Sequence, residues 1–374
     1  MKYFETFRSN TYAGSGNQLL FGTNEGEVRT GRVFYKISAG GEYNYSLLFS
    51  NTMDSTYADG SVSHCNLICD EWFIHSARIG RCQKFNTTKP LSELVMNDSE
   101  SSDVVVSDFK DISFGGQKSK AVMPGEFFTT DPLTLSFEKG DYLCLEITFS
   151  GKMIPYHEET MLPVFVKTNG NWEFSKHMPF ASMIGCDRNT KARIAYLGDS
   201  ITQGIGATPN SYLHWNAVLS EKLGNEYSYW NLGIGYARAS DAASDGAWLY
   251  RAKQNDIVFV CYGVNDILQN RPQEQIKADL KRIAEILKKE GKKVIMQTVP
   301  PFDYNDVHAA VWNSVNDYIL TEIKDIVDYV FDNRECLSEK EKPQNAIYGG
   351  HPNDEGCEVW ANAFFEHLKK DSVL

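Results

Sequence analysis

Hydrophobic and polar positions alternate with period two through most of the first 185 residues. Leu133, Leu135 and Phe137 interleave with Thr134, Ser136 and Glu138, which gives a strand one dry and one wet face. Glu138-Lys139-Gly140-Asp141 then turns the chain into a second alternating run, Leu143, Leu145, Ile147 and Phe149. A glycine-containing turn between two such runs predicts a hairpin. Further strands are expected at Val33–Ile37, Tyr43–Phe49 and Val104–Val106, punctuated by Gly115-Gly116 and Pro124-Gly125. No long helical period interrupts them. The expectation for residues 1–188 is an all-β, jelly-roll-like antiparallel sandwich serving as an accessory domain.

After the polar stretch 186–191 the pattern changes. The apolar runs Ile194–Leu197, Ile257–Tyr262 and Val294–Met296 alternate with helical segments. The clearest helix begins at Pro272, carries Ile276, Leu280, Ile283 and Leu287 on one face, and stops at Gly291. Another is expected over Ser211–Leu223 with Ser211 as N-cap, and a last one over Asp354–Lys369. Such β–α alternation predicts an α/β class domain over residues 189–374. It is a three-layer α/β/α unit with a parallel sheet and a site at the strands' carboxyl ends.

Gly198-Asp199-Ser200 stands where the first of these strands turns into a helix. A serine there is lifted clear of the sheet, beside helix N–H groups able to face a developing oxyanion. Three further segments share that setting. Asn231-Leu232-Gly233-Ile234-Gly235 and Gly263-Val264-Asn265-Asp266 follow strand-like runs, and His351-Pro352-Asn353 precedes the last helix. Serine, glycine, asparagine and histidine in this order resemble the SGNH branch of the GDSL serine esterases, as does the string from Leu197 to Gly204. The resemblance covers residues 190–374. Fainter similarity of Ser50-Asn51, 112–116, 123–125 and 130–133 points to esterases with an N-terminal β-domain, an architecture shared with several carbohydrate esterases.

The resemblance implies Ser200 as nucleophile and His351 as base. It also implies an oxyanion hole made of the Ser200 and Gly233 backbone N–H groups and the Asn265 side-chain amide. Asp199 and Asp266 read as loop-bracing acceptors. One departure stands out. Tyr348 occupies the place, three residues before the histidine, where the family has an aspartate. The expectation is a Ser–His dyad whose ring is oriented by a main-chain carbonyl, with Asp332, Glu335 and Asp354 as remote alternatives. Tyr236, where another glycine often sits, is a candidate substrate-binding residue that narrows the acyl side or stacks on a sugar. His214, Trp215, His308 and Trp312 are expected on helices whose starts face the site.

The 374 residues suit two domains. A net charge of −12 argues against a nucleic-acid partner. No apolar run approaches the length of a membrane span, and the N-terminus lacks a signal-peptide pattern, so a cytoplasmic enzyme is expected. The eight scattered cysteines, at 65, 69, 82, 144, 186, 261, 336 and 357, read as free thiols. No metal site and no cofactor are expected. The function expected is removal of short acyl groups, acetyl above all, from a carbohydrate ester of small-molecule or oligosaccharide size. A broad short-chain esterase, thioesterase or acetyltransferase, or a non-catalytic glycan-binding protein, are the alternatives.

Overall fold

The computed structural model describes residues 2–14, 16–57, 63–97, 101–157 and 161–374, with side chains outside 55–57 and 63–65. The chain divides into two compact units, Met1–Asp54 with Asn66–Asn189, and Ser55–Cys65 with Thr190–Leu374.

The first unit contains a two-stranded sheet of Leu19–Phe21 with Ile154–Tyr156 and two large antiparallel sheets. One runs Arg8–Ser9, Met183–Cys186, Gly41–Ser50, Phe127–Thr129, with Leu133–Phe137 also paired to Gly41–Ser50. The other runs Asn171–Phe174, Val164–Thr168, Arg29–Lys36, Tyr142–Gly151, Trp72–Phe85, Val104–Asp111, with Lys120–Val122 added on Trp72–Phe85. Trp72 of the second sheet meets Phe128 of the first edge-on, with centroids 6.3 Å apart.

The expected hairpin about residues 138–141 does not form. The turn itself is tight, closed by the Asp141 N–H donating to the Glu138 carbonyl at 3.1 Å. It carries the chain from one sheet to the other: Leu133–Phe137 pairs with Gly41–Ser50, whereas Tyr142–Gly151 pairs with Arg29–Lys36 and Trp72–Phe85. Leu133–Phe137 keeps one wet face, as its alternation predicts. Tyr142–Gly151 is buried along most of its length because Leu94 and Met96 pack with Phe34, Tyr142, Cys144 and Phe165 into a second core. Seven cysteines with described side chains are free thiols. Cys65 lies outside those residues.

The second unit is built on a parallel sheet of β1 (Ala192–Gly198), β2 (Tyr227–Gly233), β3 (Ile257–Cys261), β4 (Lys293–Gln297) and β5 (Tyr329–Phe331), in the order β2-β1-β3-β4-β5. Its helices are α1 (Ser200–Gln203), α2 (Trp215–Leu223), α3 (Ala239–Ala243), α4 (Ala247–Ala252), α5 (Val264–Leu268), α6 (Gln273–Lys289), α7 (Asp306–Thr321), α8 (Arg334–Leu337) and α9 (Asp354–Lys370). The amphipathic α6 buries Ile276, Leu280, Ile283 and Leu287, the face its sequence predicts. Helix α2 begins at Trp215, later than expected, because the Ser211 hydroxyl closes a turn on the Thr208 carbonyl at 2.6 Å and His214 takes the N-cap position. Strand order reverses at β1, flanked by β2 and β3. A crevice at the carboxyl ends opens at such a reversal, and Ser200 leaves the sheet there.

Candidate active site

Helix α1 is a single turn, too short to hold itself together, and its surroundings fix it. Asp199 is its N-cap and accepts from the Ile201 N–H at 3.0 Å. At its other end the Asn216 amide donates to the Thr202 carbonyl at 2.5 Å and the Asn231 amide to the Gln203 carbonyl at 3.4 Å. Ser200 is thus pinned from both ends of the turn. Nothing in the sequence marks Asn216, and Asn231 stands out there only as the head of the motif around Gly233; the role of either shows once the helix end they cap is known.

The Ser200 hydroxyl lies 2.8 Å from His351 Nε2. Residues 151 apart are brought together by β1 on one side and by the loop before α9 on the other. That loop is braced by the Asn353 side chain, which caps α9 by accepting from the Gly356 N–H at 2.9 Å, and by the Asn353 N–H on the Tyr348 carbonyl at 3.2 Å. Asp354 accepts from the Thr208 N–H at 2.7 Å and its hydroxyl at 2.6 Å, tying the segment after α1 to the head of α9. Gly206 lies so close beneath this loop that a Cβ would stand 2.6 Å from the His351 carbonyl oxygen.

His351 does not have the carbonyl partner expected from the sequence. Among the described residues neither a carbonyl nor a carboxylate forms a hydrogen bond with Nδ1. The ring is set by packing: Phe302 meets it edge-on, centroids 5.2 Å apart at 78°. Two of the three alternative carboxylates are committed elsewhere. Asp332 pairs with Arg334 at 2.7 Å and accepts from Thr298 at 3.0 Å, and Asp354 holds Thr208. Tyr348 packs its Cβ against Gly356 in the first turn of α9. Burial pushes the His351 imidazole below its ordinary value of 6.5, so it stays neutral and able to accept a proton at neutral pH.

The expected oxyanion donors fare differently. Ser200 contributes the first N–H of α1, which no described residue engages. Asn265, at the start of α5, donates one amide hydrogen to the Ala237 carbonyl at 3.0 Å and keeps a second N–H to offer. Gly233 is a correction. Its N–H donates to Asn231 Oδ1 at 2.9 Å, and its Cα abuts the α1 backbone at Thr202 and Gln203, where a Cβ would collide. The glycine is therefore needed for the close approach of β2 to α1, and its amide is already taken.

Asp199 and Asp266 are both buried braces. Burial raises Asp199 to about 7, with the Ile201 N–H opposing and the Asp266 charge adding to the rise. Burial likewise raises Asp266 to about 6, against the Ala239 N–H at 2.9 Å and the Arg271 guanidinium. Trp215 stacks on Trp360 at 4.8 Å, and Trp312 donates to the Val299 carbonyl at 2.8 Å. Both are core residues. His214 is buried against Gly204, and His308 bonds Asn270 at 3.0 Å. Tyr236 is 44% exposed in the turn after β2. Among the described residues no three His, Cys, Asp or Glu side chains group as a metal site, and no helix is long and apolar enough to cross a membrane.

Residues 196–359 match the GDSL-like Lipase/Acylhydrolase family, and this stretch of the chain is a domain of that family. No curated protein matches the chain. Among solved structures, it is similar to a member of the lipolytic protein G-D-S-L family from Veillonella parvula (20% identity, 48% of this chain and 98% of that one, TM-score 0.39). It is also similar to the psychrotrophic esterase EstA from Pseudoalteromonas sp. (15%, 49% and 99%, 0.38). A third is a mutant of Axe2, an acetyl-xylooligosaccharide esterase from Geobacillus Stearmophilus (18%, 48% and 95%, 0.37).

Proposed function

We propose that the chain is a serine ester hydrolase that removes a short acyl group, acetyl above all, from a carbohydrate through an acyl-Ser200 intermediate. The observation that carries this reading is the 2.8 Å contact of Ser200 Oγ with His351 Nε2 at the strand-order reversal. Neutral His351 takes the hydroxyl proton as Oγ attacks the ester carbonyl. Negative charge on the carbonyl oxygen is received by the Ser200 N–H and the second amide N–H of Asn265. The C–O bond to the alcohol then breaks, and His351 returns its proton to the departing oxygen. Water repeats the sequence on the acyl-serine and releases the free acid. In this reading the first unit is a jelly-roll-like accessory sandwich.

The test is acetate release from acetylated oligosaccharides by the wild type and by Ser200→Ala. Nucleophile loss costs on the order of 10⁶ in kcat, while the melting temperature should hold because only one hydroxyl is removed. Residual activity above a tenth of wild type would remove Ser200 from the mechanism.

A further inference from the structure

Bulky side chains avoid left-handed backbone, which glycine, asparagine and aspartate tolerate better. The chain follows this preference with two exceptions that matter. Its described non-glycine residues at positive φ are four asparagines (66, 169, 210, 270), three aspartates (108, 245, 303), Ser372, and two tyrosines, Tyr212 at 60° and Tyr236 at 61°.

Both tyrosines stand in segments at the carboxyl ends of the strands. Tyr212 belongs to the stretch between α1 and α2 whose Thr208 binds Asp354 and whose Gly206 lies under His351. Tyr236 is the third residue of a turn closed by the Ala237 N–H on the Ile234 carbonyl at 3.4 Å, and the Ala237 carbonyl holds Asn265. One tyrosine is thus tied to the base's loop, the other to the amide donor.

An independent observation concerns exposed apolar side chains. Within Thr190–Leu374 the large exposed ones are Leu213, Tyr236, Leu268, Val307 and Ile347. Each follows a different strand, β1 through β5 in turn, and all lie on the carboxyl side. Side chains link four of the five segments in sequence: Arg238 to Gln269 at 3.4 Å, Asn270 to His308 at 3.0 Å, and Asp303 to the Ala346 N–H at 3.0 Å. The Thr208–Asp354 clasp brings in the segment after β1. The apolar exposure of this unit is therefore gathered into a rim about the dyad, where scattered single residues would mean nothing.

Given the ester hydrolysis proposed above, we infer that Tyr212 and Tyr236 are specificity-determining residues whose rings receive the C–H face of the sugar bearing the scissile ester. A sugar ring has an apolar face and a hydroxyl edge. The 44% exposed Tyr236, with the partly buried Tyr212 whose ring lies 6.1 Å from that of His214, covers the first and leaves the second in water. Glycine would relieve the backbone at either position, so the side chain is the reason the left-handed conformation is kept.

The test compares wild type with Tyr212→Gly, Tyr236→Gly and, as a second variant that tolerates the same backbone, Tyr236→Asn. Steady-state kinetics are run on an O-acetylated methyl glycoside, ethyl acetate and ethyl octanoate. The ratio of kcat/KM on the acetylated glycoside to that on ethyl acetate should fall about tenfold, the size of one good aromatic contact, and mostly through KM. The glycine variants should melt higher than wild type. Tyr→Phe at either position should hold the ratio within about threefold, because the ring face is retained. An unchanged ratio, or lower melting of the glycine variants, overturns the inference. A wild-type preference for ethyl octanoate over the glycoside overturns it too, in favour of an alkyl chain on the rim. A wild type inactive on all three esters would instead overturn the proposed hydrolase function.

Discussion

Asp199 offers a measurable consequence of how the nucleophile is mounted. Its carboxyl is buried at the head of α1 and pushed up from 3.8 to about 7. The folded protein therefore holds a proton that the unfolded chain has released between those two values. Stability from this group is complete below pH 3.8 and is lost as pH rises toward 7. Each pH unit well inside that window changes stability by about 1.4 kcal/mol, and because the folded group is half ionised by pH 7 about 2.3 kcal/mol is lost from pH 5 to pH 7. Asp199→Asn removes the titration while keeping the cap, because asparagine serves as well at that position. The variant should gain on wild type as pH rises. At about 2–4 °C per kcal/mol for a unit of this size, the Tm difference between variant and wild type should widen by about 5–10 °C between pH 5 and pH 8. Paired thermal melts at the two pH values read it directly. A Tm difference that does not change with pH would refute the buried, proton-holding carboxyl.

Three further outcomes are expected. The acid limb of kcat/KM should fall below pH 6.5, since burial lowers His351 and a lowered base stays unprotonated further into acid; a limb above 6.5 would require a carboxylate partner. Asp332→Asn and Glu335→Gln should each cost less than about tenfold in kcat, where a triad aspartate costs about 10⁴. On p-nitrophenyl esters, kcat/KM should decline from acetyl through butyryl to octanoyl, and a rise with chain length would exclude the short-acyl reading.

The sequence and the structure agree where information is local. The apolar face of α6, the glycine turn at 138–141 and the strand end at Gly198 are each written in a few neighbouring residues. Agreement fails where the partner lies far along the chain. The runs about 138–141 look like a hairpin, yet each pairs with strands about sixty or more residues away. Alternation also cannot show that Leu94 and Met96 cover a strand's second face. At the site, the order of motifs picks out Ser200 and His351, which the structure brings together. The role expected for the Gly233 amide depended on what Asn231 does two residues earlier, and a side chain's choice of backbone partner leaves no periodic trace. The bare Nδ1 of His351 is of the same kind, since it depends on where Asp332 and Asp354 spend their oxygens.

Ser200 follows the first strand of the parallel sheet and His351 precedes α9, which docks through Trp360 on Trp215 of α2. The nucleophile and its base therefore come from opposite ends of the same stretch of chain. During synthesis the serine end of the sheet emerges early, and the pair closes only after α9 has left the ribosome and packed. The contact of Ser200 with His351 then forms late in the folding of this stretch. A chain clipped within α9 would lose the Trp360–Trp215 stack that seats the base's loop, and with it the alignment of His351 on Ser200.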